Sequence, residues 1–488
     1  MSKITIPELE SYLWGAAEIL RGSMAAGSYK NYIFPLLFFK RVNDVYDEEY
    51  RAALAESDND EEYAAMEENH MFVVPQASRW SVIRNTNTDV GAAISKAMRA
   101  LENANPQLEG VFGDAAWTNK NRLPDQLLRS LVEHLSSNVL SIENCPEDEL
   151  GTGYEYLIGK FADDSGHTAQ EFYTNRTLVH LMAEILQPKP GESIYDPTCG
   201  SAGMLISSVA NVKKHGMEYR SVKVYGQEIS PLTASIGKMN LFLHGVQEFD
   251  IRQGDTLTNP HFLEGDRIKT FDVVLANPPY SIKEWNRDMF EHDPYGRNFL
   301  GTPPQGRADF AFFQHILKSM DPVTGRCAIL FPHGILFREE ESDLRKKLVE
   351  SDLIECVIGV APGLFFNSPM QACVVICRSK KDAKMKGKVK FIDAKELYIK
   401  DGKHNSLSEE NISKIANEYF SQTTTPGFSS INSIEEILDN GAKLSLAIYV
   451  VSESRKVKCS IKETYFAWKQ NTLELSDSVS KLIGGDEL

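Results

Sequence analysis

One tetrapeptide near the middle of the chain combines residue types that could hold a planar amine. Asn277-Pro278-Pro279-Tyr280 follows the apolar run 273–276, as expected at the end of a buried parallel strand. The two prolines fix two φ angles and remove two N–H donors, so this loop is stiff and presents carbonyl oxygens. Asn277 can accept through its side-chain oxygen, and Tyr280 offers an aromatic face for stacking. The alternative is a structural Pro-Pro turn; the residues favour a slot for an amine.

Three acidic residues upstream occupy the ends of three successive predicted strands. Asp196, Glu228 and Asp255 each lie at the end of a predicted strand. Because the carboxyl ends of parallel strands meet at one edge of a sheet, where ligands bind, we expect these side chains to lie near one another. Glu228 can accept from ribose hydroxyls and Asp255 could face an adenine amine, although each acid alone could be a helix cap.

A glycine-rich turn follows the first of these acids. Such a turn lets backbone approach a ligand, and the helix that follows directs free N–H groups at it. Its candidate ligand-binding residues are Gly200, Ser201, Ala202 and Gly203. The spacing differs from Gly-x-Gly-x-x-Gly, which disfavours a dinucleotide site.

The segments around these residues alternate between strands and helices, which predicts an α/β fold with a mostly parallel, seven-stranded sheet covered on both faces. The predicted strands are 193–196, 223–228, 249–254, 271–277, 327–332, 353–360 and 372–378. The predicted helices between them include 203–214, 231–244, 308–319 and 339–350.

The chain of 488 residues is long enough for two or three domains. Residues 1–150 show apolar residues at helical spacing and predict a helical domain. Residues 151–400 form the predicted catalytic domain. Residues 401–488 read as a linker and a helical tail, 457–482, whose apolar positions suit either a partner or its own chain.

Composition narrows the classes of function. The formal net charge is −16, whereas a protein that binds a nucleic-acid backbone alone usually carries a basic surface. Either the substrate is not nucleic acid, or a partner protein provides much of the affinity for it. The seven cysteines lack Cys-x-x-Cys spacing, and no metal site is expected. No secretory signal or membrane-spanning run is evident, which predicts a cytoplasmic protein.

The loop, the turn and the strand-end acids together resemble the amino-methyltransferases that use S-adenosylmethionine, which have a Rossmann-like core. In that family asparagine at the first loop position accompanies methylation of adenine N6, and serine more often cytosine N4. A segment upstream of the first strand looks like the family's second cofactor-binding element: Glu171, Phe172, Tyr173, Thr174, Asn175 and Arg176.

Over about residues 8–395 the resemblance narrows to the modification subunit of type I restriction–modification systems. The segments that carry it, besides those above, are 308–315, 331–338, 345–348 and 364–367. It implies double-stranded DNA as substrate, a specificity subunit that reads the sequence, a second copy of the modification subunit and a restriction subunit. The sequence departs from the family at Asn175, where proline is usual, and at Ala202, where many relatives have glycine.

Three rival functions remain open at this point. A self-sufficient adenine DNA methyltransferase would need no partner. An enzyme that methylates a glutamine side chain could use the same slot, but such enzymes are shorter and lack the helical domain. A non-catalytic scaffold that binds only cofactor and partner is disfavoured by the intact loop from Asn277 to Tyr280.

Overall fold

A computed structural model describes residues 3–164, 174–280, 282–364, 371–401 and 404–451, together with 465, 468–472 and 475. Within this part of the chain, no helix is both long enough and apolar enough to cross a bilayer.

The amino-terminal part is helical, as predicted. The α-helices along the described chain are α1 (Ile6–Leu20), α2 (Lys30–Glu56), α3 (Glu61–Ala64), α4 (Trp80–Arg84), α5 (Val90–Ala104), α6 (Asp125–Leu135), α7 (Glu147–Asp164), α8 (Arg176–Leu186), α9 (Gly203–Lys214), α10 (Pro231–Leu243), α11 (Arg287–Glu291), α12 (Asp309–Lys318), α13 (Ser342–Glu350), α14 (Glu409–Phe420), α15 (Ile434–Asp439) and α16 (Leu446–Tyr449). Short 3-10 helices lie at Ala26–Ser28, Glu67–Asn69, Gln76–Ser78, Pro106–Leu108, Tyr219–Ser221, His333–Leu336 and Glu339–Glu341.

The strands are β1 (Ser193–Asp196), β2 (Lys223–Glu228), β3 (Phe249–Gln253), β4 (Leu263–Glu264), β5 (Arg267–Ile268), β6 (Val273–Ala276), β7 (Arg326–Pro332), β8 (Ile354–Gly359), β9 (Ala372–Arg378), β10 (Lys388–Asp393), β11 (Ile399–Asp401), β12 (His404–Ser406) and β13 (Ser429–Ser433). The main sheet has the order β13-β10-β8-β9-β7-β6-β1-β2-β3. Of its pairs, β7·β9, β8·β9 and β10·β13 are antiparallel and the others are parallel. The predicted α/β fold is therefore confirmed.

The predicted count of seven strands is wrong, because the described residues place nine in the main sheet. The seven predicted strands are all present. The two that the sequence analysis missed are β10, which alternates lysines with apolar residues, and the serine-rich edge strand β13. Polar strands of this kind lack the apolar run that marks a central parallel strand.

The sheet also continues beyond residue 400, the predicted end of the catalytic domain. β13 pairs with β10, and α14 packs beside α8. The division into three domains therefore stays a proposal. Its second boundary, at residue 400, falls within the segment that forms the main sheet. Most of the predicted tail helix, 457–482, lies outside the described residues; 465, 468–472 and 475 are helical.

One helix joins the helical domain to the sheet. α10 lies next to β2 and β3, and its apolar residues Ile236, Met239 and Leu243 belong to the same buried core as α1 and α2. Polar contacts add to this interface: Ser235 Oγ donates to the Gly110 carbonyl at 2.7 Å. The helical domain therefore packs on the side of the sheet where α10 covers β2 and β3.

Candidate functional site

The candidate site lies where the sheet order reverses. From β1 the chain proceeds outward through β2 to β3 and then returns to β6 on the other side of β1. Asp196 is the last residue of β1, and Asn277 directly follows β6. In an open α/β sheet such a switch point leaves a crevice outside the strand ends, which is where ligands bind.

The Asn277 carboxamide is held at both ends. Its Nδ2 donates to the Thr174 hydroxyl at 2.9 Å, and its Oδ1 accepts from the Tyr280 hydroxyl at 2.5 Å. Thr174 lies just before α8, so the second predicted binding segment and the predicted slot meet directly. A bound amine would share the oxygen with the Tyr280 hydroxyl or displace it, since an amide oxygen has two lone pairs. Burial raises the pKa of the Tyr280 phenol well above its usual range.

The glycine-rich turn after β1 is hydrogen-bonded to the end of β2. The backbone N–H of Cys199 donates to the Gln227 carbonyl at 2.9 Å. Gly200 and Ala202 both have positive φ, of 53° and 64°. Glycine adopts this conformation readily, whereas alanine does so only when its surroundings enforce it. Ala202 then serves as the N-cap of α9, so the first turn of that helix faces the crevice.

Glu228, at the end of β2, links two loops through its carboxylate. One oxygen accepts from the Gly200 N–H at 3.0 Å, and the other accepts from the Ser230 N–H at 2.9 Å. Hydrogen bonds between an ionised carboxylate and backbone N–H groups are stronger than neutral ones. The carboxylate thus fixes the glycine-rich turn relative to the start of α10.

Asp255 is held by its own loop, and a distant arginine in turn holds that loop. Its carboxylate accepts from the Leu257 N–H at 3.0 Å and from the Thr258 hydroxyl at 2.8 Å. Buried Arg297 donates to the carbonyls of Thr256 and Leu257 at 2.9 and 2.8 Å. A planar guanidinium that bonds two successive carbonyls holds the loop in one conformation.

A small cavity of about 30 Å³ lies beside the glycine-rich turn. It is lined by Glu155, Thr174, Arg176, Val179, Asp196, Thr198, Cys199, Gly200, Ser201, Gly203, Met204 and Asn277. Arg176 forms an ion pair with Glu155 of α7, and burial lowers the pKa of Arg176 to about 10. Its Nη1 is buried and has no hydrogen-bond partner among the described residues. A buried cationic donor in this position suits an anionic ligand group.

Asp196, beside Glu155, is one of the two buried acids that line the small cavity. Its carboxylate accepts from the Thr198 N–H at 2.9 Å. Burial, with a smaller contribution from the charge of Glu228, raises the pKa of Asp196 to about 7. A carboxyl whose charged form is disfavoured in this way would gain from a nearby ligand cation.

A large cavity of about 530 Å³ lies on the other side of Asn277. It is lined by Lys30, Pro197, Thr198, Glu228, Ile229, Ser230, Thr233, Gly254, Asp255, Thr256, Leu257, Asn277, Pro278, Pro279, Tyr280, Ile282, Glu284, Trp285, Asn286 and Phe312. Asn277 and Thr198 line both cavities. A volume of this size suits a small-molecule ligand, and its walls combine apolar side chains with the predicted acids.

Most of the predicted site residues lie at these two cavities, but some do not. Ala202 is buried and lines neither cavity. Asn175 caps α8 by accepting from the Thr177 N–H at 3.0 Å, and its Nδ2 donates to the Asn405 carbonyl at 3.1 Å. A ligand role for either residue stays a prediction. Glu171, Phe172 and Tyr173 lie outside the described residues.

Several lining residues were missed by the sequence analysis. Glu155 and Lys30 come from α7 and α2, far from the sheet in sequence. Ile229, Trp285 and Phe312 add apolar surface to the large cavity, and the Ile229 side chain is 62% exposed. The one signal in the sequence was an isoleucine, Ile229, directly after the predicted ribose-binding acid Glu228. The described residues contain no group of three or more His, Cys, Asp or Glu side chains placed to hold a metal.

Comparisons with known proteins agree with this geometry. The N-6 DNA methylase family matches residues 146–458, and the HsdM N-terminal domain matches residues 9–135. The Type I restriction enzyme MjaIX methylase subunit of Methanocaldococcus jannaschii is 29% identical over 99% of this chain and 89% of its own length. The corresponding HindI methylase subunit of Haemophilus influenzae is 30% identical over 77% of this chain and 89% of its own.

A solved structure shows the same architecture. The methyltransferase subunit of a type I restriction-modification system from Streptococcus thermophilus superposes with a TM-score of 0.80 and 29% sequence identity. The match covers 92% of this chain and 100% of that one. The chain therefore belongs to the N-6 DNA methylase family, within the branch of type I modification subunits, and is an adenine-specific DNA methyltransferase subunit dependent on S-adenosylmethionine.

Proposed function

We propose that the loop from Asn277 to Tyr280 holds the exocyclic amine of a flipped-out adenine during methyl transfer. An amine in a base pair is unreachable, so the target base must leave the duplex. The Asn277 Oδ1 and the Pro278 carbonyl then accept the two amine hydrogens, which draws the nitrogen lone pair out of conjugation with the ring. Tyr280 stacks on the base, and Pro279 keeps the loop stiff. The observation that carries this proposal is the position of Asn277 between the two cavities.

The same proposal assigns the cofactor residues. S-adenosylmethionine supplies a methyl group on a sulfonium centre. In this proposal Arg176 binds its carboxylate, and Asp196 and the glycine-rich turn bind the same end of the cofactor. The buried Arg176 Nη1, which has no partner among the described residues, supports this role. Glu228 accepts from the ribose hydroxyls and Asp255 faces the adenine amine. Catalysis by these groups rests on positioning and electrostatics, because the transfer is direct.

A partner completes the proposed activity. The net charge of −16 leaves little capacity to hold a DNA backbone alone. We therefore expect a specificity subunit to read the sequence, with a second copy of this chain and a restriction subunit joining it. The carboxyl-terminal tail is the proposed contact. A cytoplasmic location, where the DNA is accessible, belongs to the same proposal.

The test compares Asn277→Ala with the wild type in complex with the specificity subunit. Loss of the acceptor should lower the rate of methyl transfer by about 1000-fold, the upper range for removing one preorganised polar contact. Affinity for S-adenosylmethionine should change by less than about twofold, because the slot acts on the amine. The rate is measured by the transfer of labelled methyl groups to DNA. The affinity for S-adenosylmethionine is measured by calorimetric titration.

Asn286→Ala is the matched control. Asn286 lines the same large cavity, but its side chain caps α11 and lies outside the slot; we expect near-normal turnover. Normal turnover in Asn277→Ala would refute the slot. Robust sequence-specific methylation by the isolated wild-type chain would refute the partner dependence and leave the slot intact.

A further inference from the structure

The Asn277 carboxamide lies between two hydroxyl groups. Its Nδ2 donates to the Thr174 hydroxyl at 2.9 Å, and its Oδ1 accepts from the Tyr280 hydroxyl at 2.5 Å. Because a hydroxyl can donate or accept, the same two neighbours would also fit a carboxamide whose oxygen and nitrogen are exchanged. The exchanged carboxamide would present its NH₂ group where the proposed slot needs an oxygen. A further contact must therefore select the orientation.

The single proton of the Thr174 hydroxyl decides between the two orientations. A threonine hydroxyl has one proton to donate and two lone pairs that accept. In the structure the oxygen accepts from Asn277, and the proton is donated to no other group among the described residues. When this proton is donated away from Asn277, the hydroxyl can only accept from the carboxamide, so Nδ2 must face Thr174.

Thr174 also lines the small cavity, together with Arg176. The buried Arg176 Nη1, which has no partner among the described residues, is the proposed contact of the cofactor carboxylate. The carboxylates of Glu155 and Asp196 line this cavity as well, but neither accepts a hydrogen bond from Thr174 in the structure. A carboxylate only accepts and a guanidinium only donates. The cofactor carboxylate therefore suits the Thr174 proton, whereas Arg176 does not.

We propose that Thr174 positions the Asn277 carboxamide, and that the Thr174 hydroxyl is itself oriented by donating to the cofactor carboxylate. Thr174 then accepts from the Asn277 Nδ2, which leaves Oδ1 directed at the target amine. Occupation of the small cavity thus prepares the slot before the base enters it. The inference rests on the proposed function, because it needs the cofactor carboxylate near Arg176 and an amine at Asn277.

The experiment measures how strongly the complex with the specificity subunit prefers adenine to purine at the target position. Purine lacks the exocyclic amine, so the ratio of the two DNA affinities reports the contact between the amine and Asn277. The same two DNAs are used for every variant, so their difference in base pairing cancels. Binding is measured with S-adenosylhomocysteine, which has no methyl group to transfer but keeps the carboxylate, and with 5′-methylthioadenosine, which lacks the carboxylate.

Thr174→Val keeps the shape of the side chain and removes the hydroxyl. With S-adenosylhomocysteine bound, it should reduce the preference for adenine roughly tenfold, because the carboxamide loses the contact that orients it. Thr174→Ser keeps the hydroxyl and should retain the preference within about threefold. In the wild type, 5′-methylthioadenosine should lower the preference toward that of Thr174→Val.

The rate of methyl transfer at saturating S-adenosylmethionine supplies a second readout. Thr174→Val should lower kcat roughly tenfold as well, since a smaller fraction of the carboxamide faces the amine. A residue that only bound the cofactor would change the KM for the cofactor and leave kcat unchanged. Thr152→Val is the matched control: the Thr152 hydroxyl lies on the exposed face of α7, where it donates to the Asp148 carbonyl at 2.7 Å, and both readouts should stay at their wild-type values.

Two outcomes would overturn the proposal. One is a wild-type preference for adenine with a wild-type kcat in Thr174→Val, or in Thr174→Ala should the thermal midpoint show that the valine variant does not fold. The other is an equal preference for adenine with either cofactor analogue in the wild type. Asn277→Ala is measured alongside. If that variant keeps the preference, the proposed slot is wrong; if only the Thr174 variants keep it, the slot stands and the role of Thr174 is wrong.

Discussion

The small cavity and the large cavity share Asn277 as a wall residue but differ in how their walls are built. The small cavity is formed largely by residues 196–204, whose Gly200 N–H is held by Glu228, and its buried Arg176 is already paired with Glu155. The large cavity is formed by side chains from separate elements, including Lys30 of the helical domain. The first is centred on one turn that is already held by hydrogen bonds, whereas the second draws its walls from more widely separated parts of the chain.

This difference matches the two ligands of the proposed reaction in part. The small cavity is the proposed site of the carboxylate end of the cofactor. Glu228 and Asp255, proposed to bind its ribose and adenine, line the large cavity, which is also the proposed site of the flipped-out base. A cofactor that is the same in every cycle gains most from a rigid site, because little ordering remains to be done on binding. A base that must swing out of a duplex needs a wider entrance and walls that can adjust. Tyr280 is consistent with such adjustment, since its hydroxyl occupies the Asn277 oxygen that the amine would use.

The largest effect on cofactor affinity is expected at Glu228, which supports both cavities. Glu228→Gln keeps the shape but can accept well from only one of the two N–H groups, Gly200 or Ser230, and presents an NH₂ to the other. We expect the dissociation constant of S-adenosylmethionine to rise about 100-fold, the equivalent of roughly 3 kcal/mol. Calorimetric titration of the cofactor measures it.

Asp255→Asn is the matched control for this prediction. Asp255 lines the large cavity as well, but its described hydrogen bonds come from its own loop, so the loss should stay near tenfold or below. Equal losses of cofactor affinity in the two variants would show that the carboxylate of Glu228 does not hold the two loops together. The proposed difference between the two cavities would then be wrong.

A smaller effect is expected at Tyr280, on the side of the large cavity. Tyr280→Ala removes the stacking surface, worth about 2 kcal/mol, and should lower kcat/KM for methyl transfer by roughly 30-fold. Tyr280→Phe keeps the ring and frees the Asn277 oxygen, so its kcat/KM should stay within about threefold of the wild type.

The fluorescence of 2-aminopurine placed at the target position reports separately whether the base has left the stack. Tyr280→Ala should reduce the fraction of flipped base, and Tyr280→Phe should preserve it. If the phenylalanine variant behaved like the alanine variant, the hydroxyl and its bond to Asn277 would be the essential feature, and stacking would be a minor one.

The parts of the site that the sequence predicted are those encoded locally. Asp196, Glu228 and Asn277 each lie at the end of a predicted strand, and parallel pairing brings such ends together at one edge. The strands β1, β2 and β6 were predictable for the same reason. Strand ends and glycine-rich turns are set by a few neighbouring residues, and these can be read one segment at a time.

What the sequence did not predict depends on packing between distant segments. The contact between Asn277 and Thr174 spans 103 positions, and Lys30 enters the large cavity because α2 packs on α10. No local pattern distinguishes Lys30 from an ordinary lysine in a helix. The proline-to-asparagine departure at residue 175 is explained only by the structure, where the Asn175 side chain caps α8.

The smallest expected effect tests the small cavity through the pH dependence of stability. The pKa of the Asp196 carboxyl is raised to about 7 in the folded chain, against an ordinary value of 3.8. Between these two values the folded state keeps a proton that the unfolded state has lost. The contribution of Asp196 to stability is therefore complete below the lower value and is lost as the pH rises through about 7.

Asp196→Asn replaces the carboxyl by a neutral amide that can still accept from the Thr198 N–H. Its stability relative to the wild type should therefore increase with pH, by at most about 1.4 kcal/mol per pH unit. Thermal midpoints of both proteins without cofactor, from about pH 5 to about pH 8, give the difference. Glu341, whose pKa burial also raises to about 7, titrates in both proteins and cancels. Parallel midpoint curves would mean that Asp196 is already ionised in the folded state, and the small cavity would then be more hydrated than its walls indicate.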